Sequence, residues 1–397
     1  MKQAVSFVLY LFRRVLDGIR KGDKILLLLC LVATAFGCLI ISSATSYTGS
    51  IRFVIVQIVA SLMGLALFGF VASVDAEFFS EHRTALTAIC CFLLLLLIPF
   101  GTDNDTGNKS WLDIPLMPVD IQPAEICKIF YILITASVMG AYQNRISHPK
   151  SVLHTAFYLI LIVGLNMVLS DDLGVSLIFI FIFLGMTFSG GVSILWFLGG
   201  IGLLIIGTPF LWNYFLSGHQ KERIEVLFNP DIDPLGIDER YHTVRSLRSL
   251  TGGGMTGQGL FQGYRTQSGA LYAQHTDYIF SSIGEELGYV GCILTVVLLF
   301  LIVARCFWVG YRSQDYMRRL ICFGAASALI FQIIINVGMC IGVAPVIGLT
   351  LPFISYGGSS ILSMYAMLGL VSGVYARPSP TSHDRYIRAP YGFNTLR

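Results

Sequence analysis

Long apolar runs dominate the chain, and short polar segments separate them. A helix that spans a membrane needs about 20 mostly apolar residues, and ten runs approach that length. They occupy residues 24–44, 52–74, 84–100, 121–142, 151–169, 173–189, 192–215, 278–310, 317–342 and 353–376. The runs are continuous and do not alternate with polar residues, so they are helical spans and not strands of a barrel. The pattern predicts an all-α, polytopic integral membrane protein with about ten transmembrane helices.

One polar segment, between the seventh and eighth runs, is much longer than the others. We expect it to be an extracytoplasmic loop at residues 217–277, within a membrane domain of residues 24–376. Residues 1–23 carry an apolar stretch followed by cations, the reverse of a secretory signal. They predict a basic, cytoplasmic segment at the membrane interface. Residues 377–397 predict a short cytoplasmic tail.

The composition agrees with a membrane protein. Hydrophobic residues make up 55% of the chain and charged residues only 12%, about half the charged fraction of a soluble domain. A net charge of +3 gives no reason to expect a nucleic-acid partner. All nine cysteines lie inside apolar runs, where they are typical of small buried side chains and not of a disulfide framework or a zinc site.

Lysine and arginine in the short loops indicate the orientation of the chain, because cytoplasmic loops carry an excess of both. With the N-terminus inside, the cytoplasmic segments and the adjoining ends of the runs hold 16 of them, whereas the short outward loops and their adjoining run ends hold only Arg52 and Lys109. This distribution predicts that both termini lie in the cytoplasm and that the long loop lies outside.

Three carboxylates, Asp277, Glu285 and Glu286, lie where the long loop meets the eighth run. An ionisable group at such a border indicates a functional site, because charge is costly in lipid. The alternative is that Asp277 caps the helix and that the two glutamates are solvated or pair with a cation.

A second group of charges begins the fourth run. Glu125 and Lys128 are three residues apart, so they share a helix face and can form an ion pair. Such a pair in a membrane usually faces a cavity or the bundle interior, and a purely structural pair is the alternative. Asp171 and Asp172, on the same predicted outer side, could add to one site.

The long loop combines glycines with cations. Gly252 to Gly257 match G-x-G-x-x-G, but no strand–helix unit frames them. Their amides could cradle a phosphate, or they could have only a conformational role. Six cations in this loop either form a solvated surface or bind an anionic lipid head group: Lys221, Arg223, Arg240, Arg245, Arg248 and Arg265.

Glycines and prolines break the last apolar region between Gly338 and Gly358. Broken backbone at membrane depth is tolerated only where it is buried in protein or lines a water-filled cavity. We therefore expect a cavity that opens outward.

Several ordered segments over residues 107–376 resemble the shape, elongation, division and sporulation (SEDS) proteins of the RodA/FtsW type. The most specific are Gln122-Pro123-Ala124-Glu125 with Lys128, Asp233-Pro234-Leu235-Gly236 with Tyr241, His275-Thr276-Asp277 with Glu285 to Gly288, and residues 351–360. The chain departs from the family pattern at Ser170-Asp171, at Arg245 and at Ala273-Gln274.

The resemblance implies a peptidoglycan glycosyltransferase that polymerises lipid II into glycan strands at the outer face of the membrane, with inversion. Such a transfer needs a general base for the acceptor hydroxyl, and Asp277 matches that position. The polyprenyl pyrophosphate leaving group needs charge neutralisation. The expected substrate contacts are Lys109, Trp111, Glu125, Lys128, Asp172, Arg223, His275 and Ser355.

The same resemblance implies a class B penicillin-binding protein, a transpeptidase, as partner. It implies no tightly bound cofactor, and Mg²⁺ or Mn²⁺ is a candidate for neutralising the pyrophosphate. Two other functions stay open at this point: a lipid II flippase without chemistry of its own, and a non-catalytic scaffold of the cell-wall machinery.

Overall fold

Helices make up nearly all of the regular structure. The computed structural model describes residues 2–102, 109–113, 120–214, 218–229, 233, 240–271 and 273–377. The helices in these ranges are α1 Lys2–Lys21, α2 Lys24–Ala44, α3 Arg52–Ser73, α4 Ala76–Glu81, α5 Arg83–Leu95, α6 Leu97–Phe100, α7 Pro123–Ala141, α8 Pro149–Ser170, α9 Leu173–Ser189, α10 Ile194–Tyr214, α11 Gly218–Phe228, α12 Tyr241–Gly253, α13 Tyr264–Gln267, α14 Ile279–Arg312, α15 Tyr316–Cys340 and α16 Gly358–Ala376. Short 3₁₀ turns lie at Ser46–Thr48 and Gln143–Arg145. Two short strands, β1 (Gly101–Thr102) and β2 (Trp111–Leu112), pair antiparallel.

The apolar runs all form helices. Among the described residues, nine helices are long and apolar enough to cross a membrane, with α5 and α6 together forming one of them. The remaining run forms α9, which has 17 residues, the short end of the range for a span. The all-α, multi-pass architecture predicted from the sequence is confirmed.

Side chains and prolines define several helix starts. Asp23 caps α2 by accepting hydrogen bonds at 3.0 and 3.1 Å from backbone N–H groups of the first turn. Asp315 caps α15 in the same way, at 2.8 Å. Pro123 and Pro149 open α7 and α8, where the missing N–H of proline removes no helical hydrogen bond.

The order of the helices gives the bundle two ends. At one end α2, α8 and α15 finish and α7, α9, α14 and α16 begin; we call it the loop end. At the other end α1, α14 and α16 finish and α2 begins; we call it the α1 end. The predicted orientation would place the loop end outside the cell.

The core is asymmetric. Helices α7, α15 and α16 bury most of their length inside the protein, whereas α10 buries none of its most apolar stretch. In a membrane protein the exposed apolar face of such a helix is turned to lipid. The central helices therefore position the site, and α10 is peripheral to it.

Helix α14 is sharply kinked at Gly288, where φ is 66° and ψ is −165°. The kink frees the carbonyls of Glu285 and Glu286, which accept hydrogen bonds from the backbone N–H groups of Gln258 and Gly259 at 2.9 and 3.0 Å. A β-carbon on Gly257 (φ 82°) would lie 2.1 Å from the Glu286 carbonyl oxygen. These hydrogen bonds join the long loop to the kinked helix. Their geometry needs glycine both in the loop, at Gly257, and in α14, at Gly288.

The long loop is more structured than a plain polar connection, because it contains α11, α12 and α13.

The last span is shorter than predicted: residues 353–357 are not helical, and α16 begins at Gly358. Gln57 of α3 explains this boundary. Its side-chain amide donates to the Ser355 carbonyl at 3.2 Å and accepts from the Gly357 N–H at 3.3 Å.

Candidate functional site

Asp277 lies at the loop end, in the turn that precedes α14. Its backbone carbonyl accepts a hydrogen bond from Asn336 Nδ2 at 2.8 Å, and the same nitrogen donates to the Leu349 carbonyl at 2.6 Å. The N-cap residue of α14 is Tyr278 and not Asp277, and its side chain makes no capping hydrogen bond. The interpretation of Asp277 as a helix cap is therefore wrong.

The Asp277 carboxylate is half-buried, and within the described part of the chain it accepts no side-chain or backbone hydrogen bond. A β-carbon on Gly348 would lie 3.7 Å from its Oδ2, so the backbone approaches it without contributing a donor. Burial raises the pKa of Asp277 to about 6, and the nearby charge of Asp172 adds to the rise. A buried carboxylate without donors is a poor anion and a good proton acceptor.

Asp172 has two roles at the start of α9. Its Oδ1 caps the helix by accepting from the Val175 N–H at 3.0 Å, and its Oδ2 accepts from Gln122 Nε2 at 3.1 Å. Burial raises the pKa of Asp172, and the charge of Glu125 raises it further. Two carboxylates with raised pKa values thus face one region of the loop end.

The predicted ion pair is present in the first turns of α7. Lys128 Nζ lies 2.8 Å from Glu125 Oε1, and both side chains are almost fully buried. Ser363 of α16 donates to the other oxygen of Glu125. The pair therefore joins α7 to α16 beneath Asp172.

His275 and Ser355 lie beside the Asp277 turn. The His275 ring packs 4.8 Å from Phe53 and 5.6 Å from Tyr356, between centroids. Burial lowers the pKa of His275, so its imidazole is neutral near pH 7. Ser355 Oγ donates to the Thr276 carbonyl at 2.6 Å, so it holds the turn.

Glu285 and Glu286 differ from Asp277 because both are completely buried and hydrogen-bonded. Glu285 accepts hydrogen bonds from the Thr266 N–H at 2.8 Å and from the Thr266 hydroxyl at 2.7 Å, and Arg265 Nη1 lies 3.7 Å from its Oε1. Glu286 accepts from Ser43 Oγ at 2.7 Å. The pairing of Glu285 with a cation is confirmed, and the solvated alternative is wrong for both.

Two arginines of the long loop form hydrogen bonds that stabilise the loop itself. Arg240 donates to the Asp233 carbonyl at 3.2 Å, and Arg245 donates to the Ala270 carbonyl. The amides of Gln258 and Gly259 bond to α14, which favours the conformational role of the glycines over a phosphate cradle.

Three predicted contacts are not joined to Asp277 by any contact among the described residues. Lys109 is exposed beside the β1–β2 hairpin, and Trp111 is half-buried in β2. Arg223 lies on α11, and its side chain falls outside the described structure. The outward cavity predicted around residues 338–358 also stays a prediction.

Three residues that the sequence did not single out hold the site. Asn336 fixes the Asp277 turn, Gln57 fixes residues 355–357, and Ser363 binds Glu125. Asn336 and Gln57 are polar side chains inside apolar spans, and that unusual placement is the signal that could have found them.

Groups of three or more His, Cys, Asp or Glu that could hold a metal ion do not occur among the described residues. At the loop end, Asp172 is close enough to Asp277 for its charge to raise the pKa of Asp277.

The chain is similar to known proteins over most of its length. The family profile for cell cycle proteins of the FtsW/RodA/SpoVE type matches residues 23–379. The chain belongs to the FtsW/RodA/SpoVE family. It is 32% identical over 358 residues to the peptidoglycan glycosyltransferase MrdB of Escherichia coli (strain K12), covering 89% of this chain and 93% of MrdB. It is 29% identical over 363 residues to the probable peptidoglycan glycosyltransferase FtsW of Trichlorobacter lovleyi, covering 89% and 93%.

Two solved structures have a similar fold. A chain from a peptidoglycan synthase complex that couples polymerization and crosslinking matches with a TM-score of 0.75 and 28% identity, covering 92% of this chain and 99% of that one. The rod shape determining protein RodA of Thermus thermophilus matches with a TM-score of 0.67 and 25% identity, covering 90% and 98%.

Proposed function

We propose that this member of the FtsW/RodA/SpoVE family is a peptidoglycan glycosyltransferase that polymerises lipid II at the outer face of the bacterial plasma membrane. The observation that carries the proposal is the state of Asp277: it is a half-buried carboxylate at the loop end, no donor within the described ranges bonds to it, and its pKa rises to about 6. The relatives named as peptidoglycan glycosyltransferases support it over most of the chain.

In this proposal Asp277 is the general base of an inverting transfer. It takes the proton from the acceptor sugar hydroxyl as that oxygen attacks the anomeric carbon of the donor, and the bond to the polyprenyl pyrophosphate breaks. A base works best when its pKa lies near the operating pH. An ordinary aspartate is a much weaker base than Asp277, whose pKa is raised from 3.8.

The frame around Asp277 orients it and the substrate. Asn336 and Ser355 hold the backbone of the turn, which fixes where the carboxylate lies. Among the predicted substrate contacts, the neutral His275 ring is two residues from Asp277, and Asp172 is close enough for its charge to act on Asp277. The Glu125–Lys128 pair lies below them.

The pyrophosphate needs positive charge as it leaves. We assign this role to Arg223, with Lys109 and Trp111 as further contacts to the head group. Mg²⁺ would supply the same charge, since it is usually bound through one or two carboxylates together with substrate phosphates. Asp172 is the carboxylate best suited to such an ion, because Asp277 is assigned to the proton.

Two observations favour an enzyme over a flippase or a scaffold. The acidic and basic residues of the spans lie within about two turns of the helix ends, whereas a transport path would need polar groups through the middle of the bundle. A scaffold would not need a carboxylate kept free of hydrogen bonds, because such a group is costly to bury.

We also propose that the partner is a class B penicillin-binding protein. The similarity to a chain of a peptidoglycan synthase complex supports a partner synthase. We place both termini in the cytoplasm and the 217–277 loop outside, so that loop and partner would meet the substrate on one side of the membrane.

Purified protein, with and without the partner, tests the assignment by polymerisation of lipid II. Asp277→Asn keeps the size of the side chain but removes its basicity, and we expect the rate to fall by ~10²–10⁴. Asp171→Asn is the matched control. Asp171 is an exposed carboxylate at the same end with φ 50°, a conformation that asparagine adopts readily, so its variant should keep the wild-type rate.

A folded Asp277→Asn protein that polymerises at the wild-type rate would refute the general base. Wild-type protein that never polymerises lipid II but moves it across vesicle membranes would instead establish the flippase.

A further inference from the structure

The α1 end contains a cavity that the proposed chemistry does not use. Its volume is about 420 Å³, within the range of small-molecule sites. Three helix ends line it: Lys21 from α1, Trp308, Arg312 and Ser313 from the end of α14, and Tyr375 from α16. It lies at the end of the bundle opposite Asp277.

The two cations of this cavity, Lys21 and Arg312, have no acidic partner in the part of the chain that the structure describes. Arg305, which packs behind the cavity, is neutralised by Asp23 through hydrogen bonds at 2.7 and 3.1 Å. Within the described ranges, neither Lys21 nor Arg312 forms an ion pair. Two like charges beside one cavity repel each other, and an anion placed between them removes that cost.

Two aromatic rings, those of Trp308 and Tyr375, form part of the cavity wall. The Trp308 ring lies 4.9 Å from Arg312 Cζ and 4.0 Å from Arg305 Cζ, and its centroid is 6.3 Å from that of Tyr375. Trp308 and Tyr375 are each 39% exposed. Tryptophan and tyrosine at the ends of spanning helices mark the level of the lipid head groups, so the cavity opens where a head group lies.

The chain itself offers a poor occupant. The C-terminal residues 378–397 follow directly after the cavity wall, but they carry Arg385, Arg388 and Arg397 against one acidic side chain, Asp384. A segment of that charge would add to the repulsion. An anion from the membrane is the better match, because basic pockets between helices at a cytoplasmic surface bind anionic lipid head groups.

We propose that this cavity binds the phosphate of an anionic phospholipid head group. The guanidinium group of Arg312 contacts two phosphate oxygens, and Lys21 supplies the second positive charge. Ser313 lines the cavity beside Arg312. The site would anchor the ends of α1, α14 and α16 to one lipid. It is independent of the polymerase assignment, because its ligand, location and readout are different.

The test is lipid binding by the full-length purified protein. Short-chain phosphatidylglycerol and phosphatidylcholine are titrated in detergent, and native mass spectrometry measures the bound lipid. Each cation near an anionic surface contributes on the order of 1 kcal/mol. We therefore expect Lys21→Gln/Arg312→Gln to weaken phosphatidylglycerol binding about 30-fold and to leave phosphatidylcholine binding unchanged.

The matched control is Arg145→Gln/Lys150→Gln. These two exposed cations lie at the same end of the bundle but do not line the cavity, so the control loses equal charge and should keep wild-type binding. Arg312→Lys tests the guanidinium contact: it keeps the charge, and we expect an intermediate loss. Circular dichroism checks that each variant retains its helices.

Three results would overturn the proposal. The first is equal wild-type affinity for the two lipids, and the second is equal weakening in the control and the cavity variant. The third is binding of inorganic phosphate as tight as that of phosphatidylglycerol, which would make the cavity a site for free phosphate.

Discussion

Asp277 and the pair Glu285 and Glu286 lie close together in the sequence, yet the protein surrounds them in opposite ways. Glu285 and Glu286 are completely buried, and their oxygens accept hydrogen bonds from Thr266, Ser43 and neighbouring groups. Asp277 is less buried, and no donor among the described residues reaches its carboxylate. Burial alone therefore does not distinguish a structural carboxylate from a chemical one.

The number of donors makes the difference. Hydrogen bonds to a carboxylate stabilise its charged form and make it an inert part of the structure. Without them, burial favours the protonated form, and the group is ready to exchange a proton near neutral pH. The two glutamates bind the long loop to α14, whereas Asp277 can exchange a proton with a substrate.

The Glu125–Lys128 pair is the strongest challenge to this division, since it is buried and hydrogen-bonded but was predicted to contact substrate. Truncating one member strands the other charge, at a cost of ~3–5 kcal/mol. Glu125→Ala and Lys128→Ala should each lower stability, and the double variant should lose less than the two losses added together. Thermal unfolding in a double-mutant cycle measures this. Strict additivity would mean that the two charges do not act as a pair.

Glu286→Ala tests directly whether the Glu286 carboxylate stabilises the fold. It leaves the buried Ser43 hydroxyl without its carboxylate acceptor, whereas the Gln267 amide keeps its hydrogen bond to Ser43 Oγ at 3.0 Å. A buried donor left unpaired costs about 1–3 kcal/mol. We expect a lower unfolding temperature for this variant and no such loss for Asp277→Asn. Equal destabilisation of the two would remove the distinction between them.

The pH dependence sharpens the same comparison. The pKa of Asp277 is raised from 3.8 to about 6 in the folded protein, so the folded state keeps this proton to a higher pH than the unfolded state. Folding stability should therefore fall as pH rises through this window, relative to Asp277→Asn. Polymerisation should rise over the same window, with an apparent pKa near 6 in the pH–rate profile.

A profile that is flat between pH 5 and pH 7, about one unit either side of that pKa, would contradict the assignment. The same measurement on Asp171→Asn is the control, since that variant retains Asp277 and should give the wild-type curve.

The smallest expected effect compares two arginines of the long loop. Arg265 lies 3.7 Å from Glu285, so Arg265→Lys should change mainly stability. Arg223 is proposed to bind the pyrophosphate through two parallel hydrogen bonds, which lysine cannot reproduce. We expect Arg223→Lys to weaken lipid II binding several-fold, by an amount that grows at low salt. Unchanged lipid II affinity for Arg223→Lys and Arg223→Ala would assign Arg223 to a solvated surface.

Hydropathy was sufficient to predict the membrane architecture. Each apolar run contains enough residues to cross a bilayer, and a backbone in lipid must satisfy its own hydrogen bonds. Helix formation therefore depends on local composition, and the ten predicted spans are all helical in the structure. The Glu125–Lys128 pair was predictable for the same reason, because the two residues are neighbours on one helix face.

The state of each carboxylate was decided only by the tertiary structure. Glu285 receives its donors from α13, and Glu286 from α2 and α13. The pKa of Asp277 is raised by the charge of Asp172, which caps α9. These contacts join segments far apart in the chain, so no local pattern contains them. The sequence determined which residues are ionisable and near a membrane border, and packing determined which of them were given hydrogen bonds and which one was left without.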